Sequence, residues 1–250
     1  MQLVLLTALG IGGATVFGAI VGFFIPNCSH KLNDILMGFA AGVMLAAAVV
    51  GLILPAMEGT GKSGIPIVGI GLLCGALLLN LLDKLTPHLH NLSGVDSESH
   101  HNGNIDKVLL FVFAIALHNL PEGLAAGVSF GGGDVGNAMS VALGIALQNI
   151  PEGMIIISPM LLAGMSKKRT FVIASFTGLV EVLGTFLGFA AASVAASILP
   201  FALSVAGGTM LYVVSGEMIP ETHSHGHELA ATYALMAGFF LMLVMDTCLG

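Results

Sequence analysis

Residues 136–163 read GNAMSVALGIALQNIPEGMIIISPMLLA, an apolar run in which Glu152 is the one charged side chain. A membrane-spanning helix needs roughly 20 predominantly apolar residues, and this stretch is long enough. The same texture recurs along the chain. Pro, Gly and charged clusters punctuate it into apolar segments at 2–25, 34–57, 64–85, 107–130, 136–163, 170–196, 201–219 and 229–249. Composition agrees: 56% of residues are hydrophobic, 8% are charged and mean hydropathy is +0.99, too apolar for the surface of a soluble globule. The bilayer must be the solvent. The expected architecture is an all-α integral membrane protein, an eight-transmembrane-helix bundle forming a single domain over residues 1–250.

The connection at 131–135, GGGDV, is short enough to make the fourth and fifth helices antiparallel neighbours. The break between the sixth and seventh is little more than Ile198–Pro200. Glycines spaced like Gly38 and Gly42 permit close helix approach in lipid. The first apolar run continues to Phe24 without a basic leader, and it reads as a span rather than a cleaved signal. Cys28, Cys74 and Cys248 are widely spaced and form no CxxC pair, so they suggest neither a disulfide framework nor a thiolate metal site. Nothing points to nucleic acid as a partner.

Placing the N-terminus outside puts Lys31, Lys84, Lys107, Lys167, Lys168 and Arg169 on cytoplasmic loops and leaves Lys62 alone outside. The positive-inside rule then sets both termini extracytoplasmic and the 86–106 connection in the cytoplasm of a multi-pass plasma or inner membrane protein.

An internal repeat carries the chemistry. Leu117-His118-Asn119-Leu120-Pro121-Glu122-Gly123 on the fourth segment recurs as Leu147-Gln148-Asn149-Ile150-Pro151-Glu152-Gly153 on the fifth. The first polar residue and the Glu stand four apart and share a helix face, with the Asn about 100° round from the first. Pro121 and Pro151 have no N–H to offer the preceding turn, which predicts kinked fourth and fifth helices and frees the carbonyls of Leu117 and Leu147. Packing alone would explain the prolines and glycines but not the two carboxylates.

A lone carboxylate at mid-membrane depth is costly, so such acids pair, bind ions or relay protons. All seven Lys and Arg lie at segment ends, so the counter-charge for Glu122, Glu152 and Glu181 must come from a bound cation or proton. One imidazole with carboxylate and amide oxygens suits zinc, iron(II), manganese or cobalt. The lipid bilayer and a divalent metal ion are therefore the expected partners, and no catalytic cofactor is implied. Glu122 and Glu152 could bridge two ions. Met44 on the second segment offers a soft thioether, although methionine in an apolar helix is usually packing. Glu217 and Asp246 lie nearer segment ends. His223, His225 and His227 in THSHGHE, and His88, His90, His100 and His101 in the long cytoplasmic connection, suit weak metal capture.

HNLPEG and QNIPEG on consecutive spans resemble the paired signatures of the Zrt/Irt-like (ZIP) divalent metal transporters, and the Gln variant resembles the GufA-like prokaryotic branch. The eight-span pattern extends the resemblance over nearly the whole chain. It implies uptake of zinc, or of iron, manganese, cobalt or cadmium, toward the cytoplasm by a homodimer in which one helix bundle slides against another. It implies one metal position using Met44, His118, Gln148, Glu122 and Glu152, and a second using Asn119, Asn149, Glu122, Glu152 and Glu181. Asp34 resembles a metal-collecting acid, and Glu217 and Asp246 resemble residues of the transport path. Many members carry His at the place of Gln148 and some carry Asp at that of Asn149, a departure that suggests lower affinity or broader metal choice. A metal-selective channel and an intramembrane metalloenzyme are the alternatives. The HExxH pattern common in the latter is absent from the sequence.

A cysteine at position 100, in a background lacking Cys28, Cys74 and Cys248, is expected to resist impermeant maleimides in sealed cells. Its labelling from outside would reverse the orientation.

Overall fold

The computed structural model describes residues 1–25, 29–60, 64–85, 116, 119–194 and 198–249. Among them are eight helices and no strand. They are α1 (Gln2–Phe24), α2 (His30–Thr60), α3 (Ile65–Leu85), α4 (119–131), α5 (Val135–Leu162), α6 (Lys167–Val194), α7 (Leu199–Thr222) and α8 (Glu228–Leu249). Six of these, namely α1, α2 and α5 to α8, are long and apolar enough to cross a membrane. Helices suit that role because every backbone donor and acceptor is satisfied within the segment, where lipid offers no partner.

The helix ends follow local chemistry. The Ser29 side chain accepts from the Leu32 amide and starts α2 four residues before the expected segment. Asp134 does the same for α5 through the Asn137 amide at 3.1 Å. Helix α5 ends at Gly164, whose φ of +83° lets its N–H reach Leu161 O while the Met165 N–H reaches Met160 O.

Helix α5 runs on past Pro151 and Pro159, neither of which has an N–H to donate. Two π-helical turns occur among the described residues, at Ala47–Ile53 in α2 and Val214–Met218 in α7. Pro55 and Pro220 follow closely. A proline ring clashes with the carbonyl four residues back and gives it no N–H, which here concerns Gly51 and Gly216, both inside the widened turns. The Gly51 carbonyl finds a replacement donor in Asn137 Nδ2 of α5, 3.1 Å away.

Glycine sets which helices touch backbone to backbone. A β-carbon at Gly18 or Gly153 would run into the carbonyls of Ile150 or Thr15, fastening α1 to α5. Gly12 and Gly178 face each other between α1 and α6, while Gly123 and Gly184 lie on the carbonyls of Glu181 and Leu120 between α4 and α6. Gly42 and Gly238 fasten α2 to α8, and Gly75 and Gly208 fasten α3 to α7. Between α5 and the α2–α8 pair the contacts are of another kind: Gly51 meets the Val141 side chain and Gly144 meets Met242. Helices α1, α4, α5 and α6 thus form one closely packed set.

Leu73, Leu77, Phe176 and Phe240 point outward and are each more than half exposed, whereas Asn119, Glu122, Gln148, Asn149 and Glu181 are completely buried. This inside-out polarity is what a lipid solvent selects.

Gly18→Ala and Gly153→Ala are expected to destabilise the folded protein by about 1–3 kcal/mol each, the usual cost of overpacking a tight contact. Gly10→Ala, which meets nothing within 4 Å, should be neutral. Thermal unfolding of purified protein in one detergent checks the contrast.

Candidate metal centre

The site lies inside the α1, α4, α5, α6 set. Glu181 of α6 sits at its hub. Its Oε1 accepts from Thr15 Oγ1 of α1 at 2.9 Å and from Asn119 Nδ2 of α4 at 2.5 Å, and its Oε2 accepts from Asn149 Nδ2 of α5 at 2.6 Å. The same two amide nitrogens lie within 3.4 Å of Thr177 O and 3.3 Å of Ile11 O. Beside this hub, Gln148 Nε2 donates to Glu122 Oε1 at 2.8 Å.

These bonds orient the amides. Every nitrogen of Asn119, Asn149 and Gln148 is turned onto a carboxylate or a backbone carbonyl, so the oxygens point away. Asn119 Oδ1, Asn149 Oδ1, Gln148 Oε1 and Glu122 Oε2 are buried and have no hydrogen-bond partner among the described residues. Leaving a buried acceptor unmatched costs about 1–3 kcal/mol, so four together favour a partner that takes lone pairs. A divalent cation, which needs oxygen or nitrogen lone pairs and no donors, fits that demand. Among the described residues no three His, Cys, Asp or Glu side chains converge as a ready-made metal cage. Three of the four unpartnered acceptors are neutral amide oxygens.

Charge points the same way. Glu152 acts electrostatically on both Glu122 and Glu181, so three carboxylates repel one another inside the bundle. Glu152 is half-buried, on the same helix as Gln148 and Asn149. His118 lies outside the described residues. Met44 of α2 is buried in the main apolar core, which also holds Ile145 and Met242.

The weaker candidates have separate surroundings. Asp246 of α8 accepts from Ser140 Oγ of α5 at 3.2 Å. Glu217 is half-buried within the π-helical turn of α7. Asp34 lies at the start of α2, bonded to His225 across from the α7–α8 connection. His223 sits beside the last turn of α7, and His227 precedes α8.

Thr15 is the member of the Glu181 cluster that sequence reasoning missed. It stands in an apolar helix with no repeat partner, so no pattern marks it, and only the fold brings it to Glu181.

Comparison with known proteins shows the family. The family profile described as ZIP Zinc transporter matches residues 96–246. Zinc transporter ZIPB of Bordetella bronchiseptica is 41% identical over 247 residues, covering 95% of this chain and 78% of that protein. Zinc transporter GufA of Myxococcus xanthus is 42% identical over 252 residues, covering 98% of each. Zinc transporter ZIP11 of Homo sapiens is 30% identical over 324 residues, covering 95% of this chain and 94% of its own. Multi-pass, all-helical and carrying the paired P-E-G helices, the chain belongs to the ZIP family of zinc transporters.

Proposed function

We propose that this protein carries zinc across the membrane into the cytoplasm through the centre around Glu122, Glu152 and Glu181. The observation that carries the reading is the set of four buried oxygens turned away from all donors. Asn119, Asn149, Gln148 and the two repeat glutamates hold the ion, with His118 and Met44 completing the softer side. Glu122 and Glu152 bridge a second ion when two are present. Zinc comes first because the relatives above are named for it. Iron(II), manganese, cobalt and cadmium suit the same oxygen-rich set.

A carrier is favoured over a channel by where the ligands sit. Of the ligands among the described residues, all except Met44 belong to one glycine-fastened helix set, which can shift against the α2–α8 pair without breaking the centre. Saturable flux is expected, and ohmic single-channel currents would favour a pore. The homodimer implied by the family resemblance belongs to this proposal, and light scattering of the purified protein checks it.

Two unit charges 4 Å apart exchange about 4 kcal/mol at an effective dielectric near 20, about a thousandfold in affinity. Glu122→Ala and Glu152→Ala should therefore each reduce zinc uptake into proteoliposomes to background, and calorimetry should show the lost binding. Wild-type zinc transport in the double variant would sink the proposed site. His118→Ala should weaken zinc more than the harder manganese, and Gln148→His should tighten zinc while slowing its release.

Thr15→Val removes one hydrogen bond to Glu181, worth about 1 kcal/mol, without altering volume greatly. A roughly fivefold loss of zinc affinity is expected, restored by Thr15→Ser. Unchanged affinity in Thr15→Val would detach Thr15 from the centre.

A further inference from the structure

The metal centre leaves a second polar cluster unexplained, where the first turns of α2 meet the connection between α7 and α8. Asp34 is completely buried there. Its Oδ1 lies 3.0 Å from His225 Nδ1, while its Oδ2 has no hydrogen-bond partner among the described residues. The other ring nitrogen of His225, Nε2, faces Glu221 Oε1 at 3.9 Å. The His30 ring stacks on His225 with centroids 4.7 Å apart, and the His225 side chain is about one quarter exposed, so solvent reaches it.

The three histidines of the connection are not equivalent. His223 Nδ1 lies 2.8 Å from Ile219 O at the end of α7, and its Nε2 lies 3.3 Å from Thr232 Oγ1 of α8. Both ring nitrogens are engaged in tying two helix ends together, a capping task. His227 starts α8 through its carbonyl, which accepts from the Ala231 amide. His225 is the one whose imidazole faces a buried carboxylate.

We propose that Asp34 and His225 form a second divalent-metal site, separate from the central one, at the membrane face that the distribution of Lys and Arg assigns to the cytoplasm. It takes zinc or a metal of similar softness, because a carboxylate oxygen and an imidazole nitrogen are the ligands offered. Two ligands on a tetrahedral zinc with bonds of about 2.0–2.1 Å stand about 3.3 Å apart. The existing 3.0 Å separation is within a few tenths of that distance, so a metal can replace the shared proton with little movement. Coordination through Nδ1 leaves the Nε2 proton facing Glu221, a carboxylate positioned to fix the ring's tautomer. With two protein ligands and water completing the shell, the site is weak and exchanges quickly. This deepens the transport reading by giving the cargo a landing at one mouth of the path.

The test separates the two sites. Zinc binding is measured by calorimetry on full-length protein carrying Glu122→Ala and Glu152→Ala, with and without His225→Ala, Asp34→Asn or His223→Ala. Loss of binding between the wild type and the double variant judges the central site by itself. In the double-variant background, His225→Ala and Asp34→Asn are each expected to remove one weak zinc equivalent or lower its affinity at least tenfold, while His223→Ala leaves it unchanged. Superimposable isotherms with and without His225→Ala would overturn the proposal. A gain-of-signal arm guards against misfolding of Asp34→Asn. His225→Cys, with Cys28, Cys74 and Cys248 replaced by Ser, should show a thiolate–cadmium absorption band on adding Cd2+. Absence of that band in folded protein would also reject the site.

Discussion

The buried polar cluster between α1, α4, α5 and α6 is arranged around the carboxylate of Glu181. A carboxylate fully buried in a membrane protein is tolerable when its lone pairs are met, and here Thr15, Asn119 and Asn149 meet them from three other helices. The consequence reaches beyond satisfaction of one acid. An amide presents a donor on one side and an acceptor on the other, and a cation tolerates only the acceptor. By drawing both Asn nitrogens onto itself, Glu181 commits both Asn oxygens to the opposite side. Glu122 does the same to Gln148. Acids therefore set which way the neutral amides point in addition to carrying charge themselves.

That hub requires helices closer than ordinary side chains allow, and the last residue of each repeat provides the approach. Gly123 rests on the backbone carbonyl of Glu181 and Gly153 on that of Thr15, the two residues that hydrogen-bond each other at the centre. Each N-x-P-E-G sequence thus brings a docking point one residue from its carboxylate. The repeat places α4 against α6 and α5 against α1 at the same depth, which is why its two copies end up facing one hub. In lipid, where apolar burial gives no drive toward association, such close backbone contact is a main source of helix adhesion.

The apolar span pattern and the buried polar residues of the repeat were legible because both depend on local composition: an apolar run long enough to cross, and acids with no Lys or Arg in reach. Long-range relations were less visible. Thr15 carries no sequence mark, since an isolated Thr in an apolar helix reads as neutral packing. The prolines of the repeats drew attention to the fourth and fifth helices, and the π-helical turns, outside the repeats, carried no such mark. The widened turns fall before Pro55 and Pro220, where Gly51 and Gly216 give the backbone room. The pattern H-x-H-x-H suggested three alike histidines. The fold divides them, because the end of α7 takes His223 for its carbonyl and buried Asp34 faces only His225.

The ligand chemistry of the proposed centre also bears on release. Cages of thiolate and imidazole hold zinc tightly through soft, directional bonds, which serves a structural site and hinders a carrier. Here Gln148 and the two asparagines contribute neutral oxygens, weak donors to zinc, while the carboxylates supply most of the attraction through charge. Charge attraction depends on the surroundings in a way that ligand softness does not. It is strong while the centre is dry and the acids are buried, and it falls several-fold when water raises the local dielectric. A centre of this composition can bind its cargo when closed to solvent and give it up when one face is wetted, without any ligand having to leave. The placement of nearly all the proposed ligands on a single fastened helix set, with glycine-to-side-chain rather than backbone-to-backbone contacts from α5 toward α2 and α8, is the mechanical counterpart of that requirement.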